Sequence, residues 1–185
     1  SGGNVFMNDK NIKQYELSSL RNIIGFVPQD PFLFSDSIEN NIKFGAENAT
    51  EEEIQKAAKN AAIHENISDF NQGYQTVLGE RGITVSGGQK QRISIARAII
   101  KNPEILIFDD CLCAVDTETE EQILKNIKRI SKDKTTFIVS HRVSSAKNAD
   151  KIIILEEGRI IQQGTHFELL HKKGYYKELY QQQLI

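Results

Sequence analysis

Ile105-Leu106-Ile107-Phe108 is a strand-sized apolar run that ends directly in two carboxylates, Asp109-Asp110. Upstream, Val85-Ser86-Gly87-Gly88-Gln89 opens a stretch with helical apolar spacing that runs to Lys101 and stops at Asn102-Pro103. A glycine-rich helix start followed by a buried strand with acidic ends is an arrangement suited to a nucleotide phosphate and its magnesium. No G-x-x-x-x-G-K-[ST] phosphate loop occurs in the 185 residues.

The rest of the chain repeats the alternation of strand and helix. Val5 to Met7 and Ile23 to Val27 read as short buried strands. Thr135 to Ser140, Lys151 to Leu155 and Arg159 to Gln163 read as further strands, the last two joined by a turn at Glu157-Gly158. Thr50 with Glu53 forms a capping box ahead of an apolar face made by Ile54, Ala57, Ala58, Ala61 and Ala62. A Thr117/Glu120 capping box is predicted to start a helix carrying Ile123, Leu124, Ile127 and Ile130. Thr165 with Glu168 caps another helix, and Tyr175 to Leu184 is the last. The region from Phe34 to Val85 holds no strong strand and reads as a helical insert that packs mostly against itself. Apolar strands alternating with amphipathic helices give an α/β fold with a largely parallel sheet.

Composition narrows the function classes. A net charge of −2 leaves no electrostatic footprint for nucleic acid. The longest apolar runs, such as Ile152 to Leu155, fall far short of a membrane span. Cys111 and Cys113 sit two apart with no further metal ligands of suitable spacing, and read as two reduced thiols.

The candidate site residues lie at strand ends and helix starts. Ser86, Gly87 and Gly88 offer unpaired N–H groups at the positive end of a helix, and the glycines allow close backbone approach to a phosphate. The same residues also make a plain serine cap. Asp109 and Asp110 close a buried strand where α/β sheets bind ligands. One can hold Mg²⁺ through water and the other can orient an attacking water. They can equally cap the following helix. His141 follows a strand at the same sheet edge and can donate to a phosphate, or be structural. Gln29 follows Val27-Pro28, and Glu80-Arg81 forms a salt-bridge site or a solvated turn.

Taken in order, these residues resemble an ATP-binding-cassette (ABC) nucleotide-binding domain over essentially the whole chain. Val27-Pro28-Gln29-Asp30 resembles the Q-loop, and Ser86-Gly87-Gly88-Gln89 the signature motif, with Val85 where leucine is usual. Phe108-Asp109 ends a Walker B-like strand. Cys113-Ala114-Val115-Asp116 resembles the D-loop, with cysteine where serine is common, and Ser140-His141-Arg142 the H-loop. Gly79-Glu80-Arg81-Gly82 looks like the x-loop of exporters. Gln29 to Phe34 and Ser37 to Ile42 look like exporters that carry membrane and ATPase domains in one chain.

The resemblance implies an α/β fold with a P-loop NTPase-like three-layer core, here incomplete without its Walker A strand, and a helical subdomain. Residues 1–33 would belong to the core up to the Q-loop. Residues 34–86 would form the helical subdomain, and 87–185 the rest of the core with Walker B, D-loop, H-loop and C-terminal helices. The implied cofactors are ATP and Mg²⁺. Gln29 and Asp109 would attend the metal, while Asp110, Gln29 and His141 would serve catalysis. Ser86, Gly87, Gly88 and Gln89 would clasp the γ-phosphate of a second nucleotide-binding domain, and Asp116 would link the two sites. A transmembrane domain and Walker A are implied upstream of Ser1, which makes the chain a C-terminal piece of an exporter at the cytoplasmic face of the cell membrane.

Glutamate is usual at the position of Asp110. Its shorter side chain resembles the degenerate half of heterodimeric exporters, although a homodimer stays open. So do a soluble cassette ATPase without a membrane partner and a piece inactive by itself. Without the Walker A strand, an apolar edge should lie open. The chain is then expected to self-associate or to rearrange its strands near Ser140 and His141.

Overall fold

The computed structural model describes residues 3–79 and 83–183. The expectation for 80–82, and with it the Glu80-Arg81 pair, lies outside those residues, as does the end of the last helix at Leu184. The chain opens with a two-residue antiparallel ribbon, β1 (Phe6–Met7) and β2 (Lys10–Asn11). Asn8 and Asp9 both take positive φ in its turn, as the tight turn of such a ribbon requires. The ribbon is not the buried strand expected there. Val5 and Phe6 are both largely exposed, since two residues of pairing give an apolar face nothing to cover it.

A short helix α1 (Leu17–Asn22) leads into β3 (Ile24–Val27). The helical region follows, with α2 (Ile38–Lys43), α3 (Glu51–Asn60) and α4 (His64–Ser68). The Thr50/Glu53 capping box starts α3, and Ile54, Ala57, Ala58 and Ala61 are buried on one face. The long helix α5 (Gly87–Ile100) comes next, then β4 (Ile105–Asp109), α6 (Thr117–Ile130) and β5 (Thr135–Val139). The chain closes with α7 (Val143–Ala146), the hairpin β6 (Ile152–Glu156) and β7 (Arg159–Gly164), α8 (His166–His171) and α9 (Tyr175–Gln183). Glu157 and Gly158 both take positive φ in the hairpin turn.

Strands β3, β4 and β5 form a parallel sheet in that order, so the α/β expectation holds. Val27, Phe108 and Ile138 lie in one row across it. Val27, Leu106 and Phe108 join one buried core with Ile93, Ile95 and Ile99 of α5 and Ile123 and Ile127 of α6. The same core contains Ile38, Ile42 and Ile54, because α2 and α3 lie against α5. The helical region therefore does not pack mostly against itself. A second, smaller core gathers Val143, Ile152, Leu169 and Tyr176.

The opposite face of the sheet is open. Parallel sheets are ordinarily covered on both faces. Here Phe26, Phe137 and Val139 remain 52%, 55% and 52% exposed, and β5 pairs only with β4 among the described residues. The strands near Ser140 and His141 nevertheless keep regular parallel register, so the expected rearrangement does not occur. An apolar open edge invites pairing with another chain. The 185-residue chain is expected to run as a dimer or larger in light scattering, and Phe137→Lys is expected to shift it toward monomer. A wild-type monomer at every concentration tested would show that the edge is not sticky.

Candidate functional site

Parallel register brings the carboxyl ends of β3, β4 and β5 to one edge of the sheet, the side where α/β sheets take ligands. Gln29 lies two residues beyond Val27, Asp110 two beyond Phe108, and Ser140 two beyond Ile138, with His141 next. Neighbouring strands lie about 4.8 Å apart. The loops carrying Gln29, Asp109-Asp110 and His141 thus emerge side by side.

Asp110 has φ 44°, and its N–H donates to the Val139 carbonyl at 2.9 Å. That left-handed backbone is one that aspartate tolerates better than most residues. The first residue after it, Cys111, is buried, and desolvation pushes its thiol up to about 12. Cys113 is exposed, and both thiols are free, as the sequence reading held.

Helix α5 begins at a complete capping box. The Ser86 hydroxyl accepts from the Gln89 N–H at 3.2 Å, and the Gln89 side-chain oxygen accepts from the Ser86 N–H at 2.9 Å. Both residues are therefore engaged within the helix start. The first helical N–H groups, those of Gly87 and Gly88, are left without intrahelical partners by their position. The space beside Gly87 is nearly open: a Cβ there would meet only Ala114 Cβ at 3.9 Å. At Gly88 a Cβ would lie 2.8 Å from the Ala114 carbonyl, so the loop 113–116 packs directly on this helix start.

Asp116 caps α6, accepting from the Thr119 N–H at 2.9 Å, and this bond holds its carboxyl below the usual range, with Arg92 adding to the effect. The expected Thr117/Glu120 capping box does not form, because Asp116, one residue earlier, is the cap and makes a single bond. Glu120 instead turns inward, where it is 1% exposed. Its carboxylate accepts from Arg142 Nη1 at 2.6 Å, from Ser144 at 2.9 Å and from Ser145 at 2.5 Å. Arg142 also donates to the carbonyls of Cys113 at 3.0 Å and Val115 at 3.4 Å. On the other side, Gln183 of α9 donates to the His141 carbonyl at 3.0 Å and accepts from the Val143 N–H at 2.8 Å.

One further buried residue touches this region and escaped the sequence reading. Gln91 of α5 donates to the Gln29 carbonyl at 3.4 Å and approaches Cys113 Sγ at 3.7 Å, while its side-chain oxygen has no partner. It joins the loops after β3 and β4 to the glycine-rich helix. A large polar side chain among the mostly apolar buried positions of the helix is the available signal.

The family model described as ABC transporter matches residues 1–113. The chain belongs to the ABC transporter family. It is 51% identical over 179 residues to the uncharacterized ABC transporter ATP-binding protein YknU of Bacillus subtilis, covering 97% of this chain and 31% of that protein. It is 49% identical over 180 residues to the putative multidrug export ATP-binding/permease protein YgaD of the same organism, again covering 97% and 31%. The ABC transporter ATM1 of Toxoplasma gondii is 47% identical over 184 residues, covering 99% of this chain and 16% of that protein. A solved bacterial Atm1-family ABC exporter with ATP bound superposes with a TM-score of 0.94 at 41% identity, covering 100% of this chain and 32% of that one. This ABC chain therefore spans about a third or less of the length of these relatives. Among its described residues no helix is long and apolar enough to cross a membrane.

The residues fit a magnesium nucleotide in part. Magnesium keeps several waters and needs only one or two protein carboxylates, so Asp109 or Asp110 suffices even though no cluster of three ligands occurs among the described residues. The crevice at the strand ends, lined by Phe108, Cys111, Leu112, Ile138 to Ser140 and Ser145, is too narrow to hold even a water molecule, so a nucleotide would lie over the strand ends and not inside it.

Proposed function

We propose that this chain is the ATP-binding part of an ABC exporter, and that the whole protein couples ATP hydrolysis to export from the cytoplasmic face of a membrane. The observation that carries the reading is the meeting of three parallel strand ends, with their Gln29, Asp109-Asp110 and His141, beside the open start of α5. Its similarity to proteins named as ATP-binding and putative multidrug export proteins supports it.

In this reading ATP with Mg²⁺ supplies the phosphoanhydride bond that is cleaved. Asp109 would hold the metal, and Gln29 would lie beside it and pass its presence to the membrane domain. Asp110 orients the attacking water, and His141 donates to the γ-phosphate. Gly87 and Gly88 present their free N–H groups to the nucleotide of a second such domain, with the Ser86 hydroxyl still able to donate. Gln89 acts mainly by holding the helix start. Asp116 faces the second domain. Residues 34–86 act as the helical subdomain between two core portions, 1–33 and 87–185.

Phosphoryl-transfer proteins draw most of their phosphate contacts from a loop with lysine, and no such motif occurs in these residues. The full-length protein is therefore expected to hydrolyse ATP, while the 185-residue chain alone binds MgATP with a Kd above about 1 mM and turns none over. Calorimetry and a phosphate-release assay read both. Micromolar affinity in the chain alone, or a full-length protein inert toward ATP, would overturn the reading.

A further inference from the structure

We infer that Arg142 and Glu120 form a positioning brace that fixes the loop 113–116 relative to His141. This inference rests on the ATPase reading for its catalytic consequence, but its geometry stands on the chain itself.

The connections form a closed circuit. Asp116 caps α6, and Glu120 lies one turn further along the same helix. Glu120 reaches out of α6 to Arg142, Ser144 and Ser145, all in the segment that follows His141. Arg142 then returns to the carbonyls of Cys113 and Val115, in the very loop that leads to Asp116. One guanidinium therefore bonds α6 and the loop before it at once, from the residue adjacent to His141. Only a planar fork with several fixed donors can do this, which separates arginine from lysine here.

Stability alone is a weak reason for such a pair. Only the Glu120 end is buried, while the Arg142 side chain is 38% exposed, and ion pairs open to water contribute little to stability. The distinctive property of this pair is that it fixes geometry. Both ends of the circuit are residues placed at the nucleotide: His141 toward the domain's own γ-phosphate and Asp116 toward the second domain. The brace thus ties the two sites to one another through three side-chain hydrogen bonds of Arg142.

Two variants test it. Arg142→Lys keeps the charge but loses the fork. Glu120→Gln keeps the shape but removes the ionic partner. In the 185-residue chain Cys113 is exposed and Cys111 is buried, so reaction with an aromatic disulfide reagent reports on the loop 113–116. Each variant is expected to speed labelling of the buried Cys111, the slow phase beside that of Cys113, by about 5-fold or more as the loop loosens, with unchanged far-UV circular dichroism. In the full-length protein each is expected to lower kcat by on the order of 10-fold, with KM for MgATP within about 2-fold, because positioning is lost and ground-state binding is not. The double variant should be no worse than either single one, as expected for two members of one unit. Wild-type labelling rates in both variants would overturn the brace. So would a loss confined to KM, or additive losses in the double variant. If wild-type full-length protein hydrolyses no ATP, the ATPase reading fails, and the labelling rates alone decide the brace.

Discussion

Asp110→Glu in the full-length protein is expected to raise ATP turnover by up to about 100-fold while slightly lowering stability. Glutamate is usual at this position in the family that the motifs resemble, and aspartate is one methylene shorter. Its carboxylate is withdrawn by roughly one C–C bond, about 1.5 Å, and a misplacement of about 1 Å can cost on the order of 100-fold. The structure adds a counterweight that the sequence did not show. Asp110 sits at φ 44°, with its N–H held by the Val139 carbonyl. Aspartate adopts that left-handed backbone more readily than glutamate does, so the longer side chain should cost about 1 kcal/mol of folding stability. The two readouts therefore move in opposite directions. Saturating-ATP turnover is measured in the full-length protein, and the urea midpoint in the 185-residue chain. Unchanged turnover with intact nucleotide binding would mean that Asp110 is not a withdrawn catalytic carboxylate.

The alternation of strands and helices was legible because each signal was local. Ile105 to Phe108 is apolar enough to be a strand in any context, and Thr50/Glu53 and Thr165/Glu168 form the capping boxes that their spacing predicts. The motif order points to the family, and Gln29 and His141 each follow a strand while Asp109 ends one, so the parallel sheet carries all three to one edge. The misses were of another kind. Glu120 reads as a capping residue by spacing, but Asp116 already satisfies the helix start. Its carboxylate is then free for Arg142, a partner 22 residues away that no local rule could supply. The burial of Val5 to Met7 was also misjudged. An apolar triplet predicts a strand, but its burial depends on what lies across from it. Likewise the helical region reads as self-contained, although its apolar faces meet α5, because which helices touch is set by the tertiary fold.

That shared core makes its own strong prediction at Gly45. Gly45 follows α2, where the chain runs against α5. A Cβ built there would lie 2.0 Å from the Arg97 carbonyl oxygen and 3.0 Å from Ile100. The obstructing atom is helix backbone and cannot rotate away. Arg97 is itself pinned, donating to the Asn41 carbonyl at 2.7 Å, to the Asn41 side chain at 2.8 Å and to the Phe32 carbonyl at 2.8 Å. Relief would require α2 to move off α5, breaking these bonds and the packing of the fully buried Ile38 and Ile42. Gly45→Ala is therefore expected to destabilise the chain by about 3 kcal/mol or more, at the upper end for overpacking. That is a large share of the roughly 5–15 kcal/mol that holds a domain folded. Gly73→Ala is the contrasting case. Gly73 has φ 49° with nothing within 4 Å of a built Cβ, so only the backbone conformation opposes the methyl group. Its cost should stay near 1 kcal/mol. Urea unfolding of both variants reads the difference. Equal midpoints would mean that α2 and α5 are not held in the close contact on which the helical region depends.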